Sequence, residues 1–431
     1  MRSAWTTPPW TPTDTEVEES ELTVTTAIAA AEAALRYNIR LLPMAAPLPL
    51  HGALRELGVD AGLAGAGGEA VAVEGLAPDQ APRLERATRA GGVRMAAAPD
   101  GRRAVLAGPE ESLAGLATHL AGEGPPLQDL GSALAAALAG HGSRPSLRCG
   151  DRSLRFGDRT LIMGVLNVTP DSFSGDGLAG DVAAAVALAE RLVAEGADLI
   201  DIGGESTRPG SAPVDAATEL GRVMPVLEAL AGRLPVPISV DTRKAEVARA
   251  AIAAGAGMVN DIWGLRGDPE MAPAVAASPG VALVVMHNRR DHGEGALLAE
   301  VARGLRESLL IAARHGITAD RVVVDPGFGF GKTPAQNLEL VQRLGELGGI
   351  GCPLLLGASR KSTIGLVLGG APPELRLEGT LALCVLAVAA GAEIVRVHDV
   401  APVRRGLGIA DAVLRAIPDA VRSAPAPGRT G

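Results

Sequence analysis

Apolar residues recur along this chain in two rhythms, and the break between them falls near Arg159. Beyond that residue, short apolar runs of strand length alternate with loops and Ala-rich stretches of helical period. The runs fall at 161–168, 197–203, 237–242, 258–262, 282–287, 321–326, 353–359 and 394–399, eight in all. Strand followed by helix, repeated, implies a parallel sheet. Eight such units in about 250 residues match the count and size of a (β/α)8 TIM barrel. A doubly wound open sheet would not need eight evenly spaced units.

Before Arg159 the pattern is mixed. It predicts a strand at 70–73, a helix at 78–90, a hairpin from 93–97 and 104–106, and a second helix at 110–121, which sketches a small α/β domain. The expected organisation is α/β throughout, a TIM barrel preceded by a small α/β N-terminal domain. A disordered leader is expected over 1–20, the small domain over 21–140, a linker over 141–154 around GHGSRPSLR, the barrel over 155–417 and a disordered tail over 418–431.

Composition narrows the function classes. Hydrophobic residues make up 47% of the 431, enough for a sizeable core, yet aromatics make up only 2%. The core must therefore be packed with Ala, Val, Leu and Ile. A net charge of −9 and the lack of a basic stripe argue against nucleic acid. A local cationic pocket for an anionic substrate remains compatible with that charge. Cys149, Cys352 and Cys384 are scattered without CxxC spacing, as expected of buried or free thiols in a reducing cytoplasm. The first twenty residues lack the apolar core of a signal peptide, and the longest apolar stretch, 381–392, is too short to span a bilayer. We expect a cytoplasmic enzyme of small-molecule substrates, without nucleic-acid or membrane partners, and a homodimer.

Polar residues gather at the C-terminal ends of the eight runs: Asn167, Glu205 with Thr207 and Arg208, Asp241, Asn260, His287, Asp325, Ser359 with Arg360 and Lys361, and Arg396 with His398. In a barrel those positions project toward one mouth, where TIM-barrel active sites lie. Asp241, Asn260 and Asp325 offer acceptors to a guanidine-like edge of N–H donors, the partners that buried carboxylates require. Arg208, Lys361, Arg396 and His398 suit phosphate or carboxylate. Asn167, on the first strand and beside the eighth, is placed to ligate a Mg2+ that accompanies a pyrophosphate. Gly331-Lys332-Thr333 resembles the end of a P-loop, but the pattern needs glycine where Pro326 stands, so Lys332 is read as a loop residue over the site.

The words that carry these residues resemble the dihydropteroate synthase family. They are MGVLNVTPDSFSGDG (163–177), GADLIDIGGESTRPGS (196–211), ISVDTRKAEV (238–247), VNDIWG (259–264), VVVDPGFGFGKT (322–333), GASRKS (357–362) and RVHDV (396–400). The resemblance covers about 155–417. It implies that p-aminobenzoate displaces pyrophosphate from 6-hydroxymethyl-7,8-dihydropterin pyrophosphate, and that the chain is of the kind targeted by sulfonamides. It also implies residue roles. Asp241, Asn260, Asp325 and Lys361 would bind the pterin, with Met286 and Ile262 packed on it. Asn167, Arg208, Arg396 and His398 would take the pyrophosphate and Mg2+, with Asp201 in support. Thr207, Pro209, Phe173, Phe330 and Ser359 would form the p-aminobenzoate pocket. Asn167, Arg396, His398 and Lys361 are the expected catalytic residues. Two alternatives share the pterin edge: a barrel transferring methyl from methyltetrahydrofolate to a corrinoid, and a non-catalytic folate-binding protein. SRK and RVH at strands 7 and 8 favour the synthase.

Overall fold

The computed structural model describes residues 14–42, 47–59, 68–140, 146–169, 181–206, 212–289 and 297–415. The N-terminal unit runs α1 (Asp14–Tyr37), β1 (Arg40–Leu42), α2 (Pro47–Leu57), β2 (Glu69–Val73), α3 (Gln80–Gly91), β3 (Arg94–Ala97), β4 (Ala104–Gly108), α4 (Glu110–Ala121) and α5 (Leu127–Gly140). Its sheet is antiparallel in the order β1-β2-β4-β3. Val71, Val73 and Leu106 pack on one face against Leu84, Leu113 and Leu134. Ala70, Ala72 and Val105 pack on the other against Leu50, Leu54 and Leu57 of α2. The segments from β2 to α4 lie where the pattern placed them. Helix α1 begins at Asp14, inside the stretch expected to be leader.

The expected linker is also partly structured. Residues β5 (Ser146–Cys149) and β6 (Arg152–Arg155) form an antiparallel hairpin. Leu147, Cys149 and Leu154 turn to one side and pack among Leu161, Met163, Leu199, Met258, Leu355 and Ile394, plugging the N-terminal end of the barrel. Its apolar positions alternate with Arg and Ser, so in sequence the hairpin reads as polar connection.

The barrel follows: β7 (Leu161–Asn167), α6 (Val182–Ala194), β8 (Leu199–Gly203), α7 (Ala216–Leu230), β9 (Ile238–Asp241), α8 (Ala245–Ala253), β10 (Met258–Asp261), α9 (Met271–Ala276), β11 (Ala282–Met286), α10 (Leu297–Arg314), β12 (Val322–Asp325), α11 (Pro334–Gln342), β13 (Leu355–Leu356), α12 (Ser362–Val367), α13 (Leu377–Ala389), β14 (Ile394–Val397) and α14 (Val400–Leu414). Its eight strands are parallel in the order β12-β11-β10-β9-β8-β7-β14-β13, and a bridge from Val324 to Leu354 closes the ring. The eight-run reading of the sequence therefore holds.

Side-chain parity divides the strands cleanly, as the two-residue period demands. Ile162, Leu166, Ile200, Ile202, Val240 and Val259 face the helices. Met163, Leu199, Met258, Val284, Val323 and Ile394 face the barrel axis and fill its lower half. Asn167, Asp201, Asp241, Asn260, Met286, Asp325 and Arg396 share that inward parity. They sit higher in the barrel, toward the C-terminal mouth.

The N-terminal unit is joined to the barrel by buried charge. Arg40, fully buried, donates to Glu56 (3.0 Å), Glu74 (2.8 Å) and Glu346, the last in a 3-10 segment at Leu344–Ile350. Arg343 of the barrel answers Glu56 at 2.8 Å and Glu346 at 2.6 Å. Arg306 of α10 donates to Asn38 Oδ1 at 2.8 Å, and Asn38 donates to Ala299 O at 3.1 Å.

Candidate active site

Strand register sets the first feature of the mouth. Asn167 is opposite Gly203, Gly203 opposite Asp241, and Asp241 opposite Asn260. Those positions form one level across four adjacent strands. Gly203 leaves the row open: a Cβ there would lie 3.6 Å from Asp241 Cβ and 3.7 Å from Asn167 Oδ1. Across the barrel Met286 pairs with Asp325. Gly357 supplies a second gap, its absent Cβ falling 3.7 Å from Arg396 Cβ and 3.8 Å from Asp325 Oδ2.

Within this ring the charges are interleaved rather than sorted. Arg396 donates from Nε to Asp201 Oδ2 at 2.6 Å and from Nη2 to Asp241 Oδ2 at 2.8 Å. Asn260 donates to the same Asp201 oxygen at 2.9 Å. The acidic and cationic halves that strand position suggested are thus bridged by one guanidinium. Asp201, fully buried, is the hub of this contact, a larger part than the supporting one the sequence implied. Its Oδ1 is buried and has no hydrogen-bond partner among the described residues.

Burial dominates the titration of the acids and lysines. It pushes the Asp241 carboxyl up to about 7, against the pull of Arg396. It raises Asp325 as well, against Lys361 and the Gly327 amide, which donates to Asp325 Oδ1 at 2.7 Å. Lys361 is lowered to about 8 by burial, with Asp325 acting in the opposite direction. The Lys361 ammonium donates to Phe328 O and lies 4.4 Å from the centre of the Phe330 ring. Such a contact holds a cation without neutralising it.

His398 and Ser359 form a pair, with the His398 amide 3.2 Å and Nδ1 3.0 Å from Ser359 Oγ. Met286 and Ile262 are buried on the opposite arc. Arg360, named among the converging groups, instead makes a two-pronged ion pair with Asp399 at 2.9 and 2.6 Å, tying the turn after β13 to the end of β14. Phe173, Thr207, Arg208 and Pro209 lie outside the described residues.

Glu205, one of the polar residues expected at the mouth, belongs to a cluster whose basic members escaped the sequence reading. Lys244 donates to Glu205 at 2.5 Å and to buried Glu219, while Arg243 reaches Glu205 at 3.2 Å. It locks the end of β8 to the start of α8 and to α7. The only signal was the basic pair that follows Thr242. Asp261 is likewise structural, accepting from the Trp263 and Leu265 amides at 2.8 and 2.6 Å.

Comparison with known proteins agrees with this geometry. Residues 163–398 match the family described as pterin binding enzyme. The chain is 47% identical over 262 residues to the dihydropteroate synthase of Bacillus subtilis, covering 61% of this chain and 91% of that one. It is 44% identical over 262 residues to that of Escherichia coli K12, covering 59% and 92%. Among solved structures, Xanthomonas albilineans dihydropteroate synthase with 4-aminobenzoic acid superposes with a TM-score of 0.59 at 46% identity, over 66% of this chain and all of that one. The family match begins at Met163, beyond the N-terminal unit and its hairpin. The match of residues 163–398 to that family and likeness along nearly the full length of these enzymes place the chain in the pterin-binding enzyme family, among the dihydropteroate synthases.

Proposed function

We propose that this barrel joins 6-hydroxymethyl-7,8-dihydropterin pyrophosphate to p-aminobenzoate, with the mouth residues in the following roles. Asp241, Asn260 and Asp325 take the N–H edge of the pterin, and Lys361 donates to its ring. Met286 and Ile262 cover the ring faces. Arg396 and His398, joined by Arg208, bind the pyrophosphate. Ser359, Phe330, Thr207, Pro209 and Phe173 line the p-aminobenzoate pocket. The observation that carries this reading is the single level of Asn167, Asp241 and Asn260 beside Asp325, Lys361 and Arg396. It offers acceptors for one end of a ligand and donors for the other.

The chemistry follows from those positions. The C–O bond between the pterin methylene and pyrophosphate breaks as the aryl amine nitrogen bonds to the methylene, and the amine proton passes to solvent. Negative charge grows on the leaving group, so cations aimed there lower the barrier. Arg396 supplies that charge, with the imidazole of His398 beside it. An aryl amine is nucleophilic at neutral pH, so no strong base is needed, and none is proposed. A Mg2+ brought by the pyrophosphate fits Asn167. Its amide oxygen is a hard donor, and among the described residues no cluster of three acidic, His or Cys side chains could hold a metal alone. Asn167 would hold the ion with substrate oxygens, where it would add positive charge at the leaving group.

We also propose a homodimer through α12, α13 and α14. Leu366, Val367, Leu386, Ile409 and Val413 are 56–77% exposed on those helices, unusual for large apolar side chains. Ile409→Glu with Val413→Glu should give monomers by sedimentation equilibrium. We propose a cytoplasmic location, supported by three buried free thiols and by the described residues holding no helix long and apolar enough to cross a membrane. The test of the activity is pyrophosphate release by the full chain with both substrates. No release from the parent chain with both substrates and Mg2+ present would overturn the reading.

A further inference from the structure

Lys332 is a half-buried basic group that none of these roles uses. After Asp325 the chain curls through Gly327, Gly329 and Gly331, each at positive φ (74°, 81° and 63°), which L side chains rarely adopt. The curl turns carbonyls inward, and the Lys332 side chain returns into it. Its ammonium lies 3.0 Å from Gly327 O, 3.2 Å from Phe330 O, 3.3 Å from His287 O and 3.3 Å from His287 Nδ1. Three of these partners are backbone carbonyls and the fourth is an imidazole nitrogen. There is no spare room: a Cβ on Gly327 would fall 2.0 Å from His287 O and 3.3 Å from Lys332 Nζ. Burial lowers the ammonium to about 7, while Asp325 pulls it back up. A charge placed at that cost is bound by the loop carbonyls it organises.

The other side of the loop is pinned by Asn337, almost fully buried. It accepts from the Gly329 amide at 2.7 Å and donates to Thr363 Oγ1 at 3.0 Å. What the loop presents outward is the seat of Lys361, formed by Phe328 O and the Phe330 ring. A Cβ on Gly329 would lie 2.8 Å from Lys361 Cδ, so the lysine lies directly on the loop. We propose that Lys332 is a positioning residue: by holding the loop after β12 from within, it fixes the seat from which Lys361 reaches the pterin. This rests on the reading of Lys361 as a pterin donor.

The test is a double-mutant cycle on the full chain, reading kcat/KM by pyrophosphate release and pterin affinity by calorimetry. Lys332→Met and Lys361→Ala should each lower kcat/KM by about tenfold or more, and the double variant should be within about threefold of Lys361→Ala alone. Lys332→Arg, which keeps a cation and donors, should recover part of the loss. If Lys332→Met does not fold by circular dichroism, Lys332→Gln takes its place in the cycle. A costly Lys361→Ala whose effect multiplies with that of the Lys332 variant overturns this inference alone. A silent Lys361→Ala overturns both the role of Lys361 and the inference built on it.

Discussion

Arg396 Nη2 lies 2.8 Å from Asp241 Oδ2, so the residue expected to hold pyrophosphate is ion-paired to the residue expected to hold the pterin ring. They stand on β14 and β9, separated by β7 and β8 in the ring. A pterin presenting N–H groups to Asp241 competes for an oxygen that Arg396 already uses. Occupation of the ring site should therefore loosen Arg396 toward the pyrophosphate.

Asp241→Ala tests the ring half. It removes a nearly buried acceptor while leaving Arg396 paired to Asp201, so the mouth keeps its counter-charge. We expect pterin binding to weaken by about 2–4 kcal/mol, the size of a lost charge-assisted contact. Calorimetry with a pterin lacking pyrophosphate reads it directly. Unchanged affinity would remove Asp241 from the site.

The pH dependence should be a narrow bell. Asp241 is pushed up to about 7, so the carboxylate that accepts the pterin edge is lost as pH falls through that value. Lys361 is lowered to about 8, so its ammonium is lost as pH rises through that value. Both limbs should appear in kcat/KM for the pterin substrate, which reports groups of the free enzyme. Asp241→Asn should flatten the acid limb and leave the alkaline one. A parent profile flat between about pH 6 and about pH 9 would contradict both shifts.

Much of the fold and of the site is legible in the sequence. Parallel barrel strands are buried on both faces and read as continuous apolar runs, so 161–168 and its seven counterparts stood out. The polar residues Asn167, Asp241, Asn260, Asp325 and Arg396 at the ends of these runs have the inward parity, whereas His287, also expected at the mouth, follows Met286 on the opposite parity and packs against Gly304 of α10. What stayed hidden depends on contacts between distant parts of the chain. Nothing near Arg396 in sequence names Asp201 or Asp241 as its partners. Lys332 reads as a loop residue over the site, whereas the glycine curl turns its ammonium back onto the loop's own carbonyls. The hairpin at 146–155 looked like linker because half of its residues face solvent. The N-terminal helices α1 and α5 went unread because Ala-rich segments carry little contrast between faces.

Arg396→Ala should separate departure of pyrophosphate from ring binding. The interaction with the leaving group grows in the transition state, so kcat should fall by more than affinity for a pterin without pyrophosphate. The same change leaves Asp201, fully buried, with Asn260 as its recorded donor. Some loss of melting temperature is expected with it, and Arg396→Lys should restore that loss more than it restores kcat. Equal falls in kcat and ring affinity would make Arg396 a ring residue.

Arg40 offers the sharpest test of how the N-terminal unit belongs to the barrel. A barrel confined to 155–417, with every candidate site residue inside it, implies that removing residues 1–140 would leave a folded, active barrel. The side chain of Arg40, however, is fully buried and faces Glu56, Glu74 and Glu346, and the Glu346 side chain is fully buried too. Removing one member of such a cluster leaves uncompensated charge inside, at a cost of about 3–5 kcal/mol. We expect Arg40→Met to lower the melting temperature, and deletion of 1–140 to give an insoluble or much less stable barrel. The pH dependence supplies the sign. Glu56 already has its carboxyl raised by burial, opposed by Arg40 and Arg343. Without Arg40 it rises further, so the folded state holds protons that the unfolded chain releases. Stability lost through a raised carboxyl is largest above its folded pKa and is recovered as pH falls toward the unfolded value. The gap in melting temperature between parent and Arg40→Met should therefore narrow on going from about pH 8 to about pH 5. A gap constant across that range would mean that Arg40 acts by packing alone, and a soluble, fully active barrel without residues 1–140 would show that the buried cluster is dispensable.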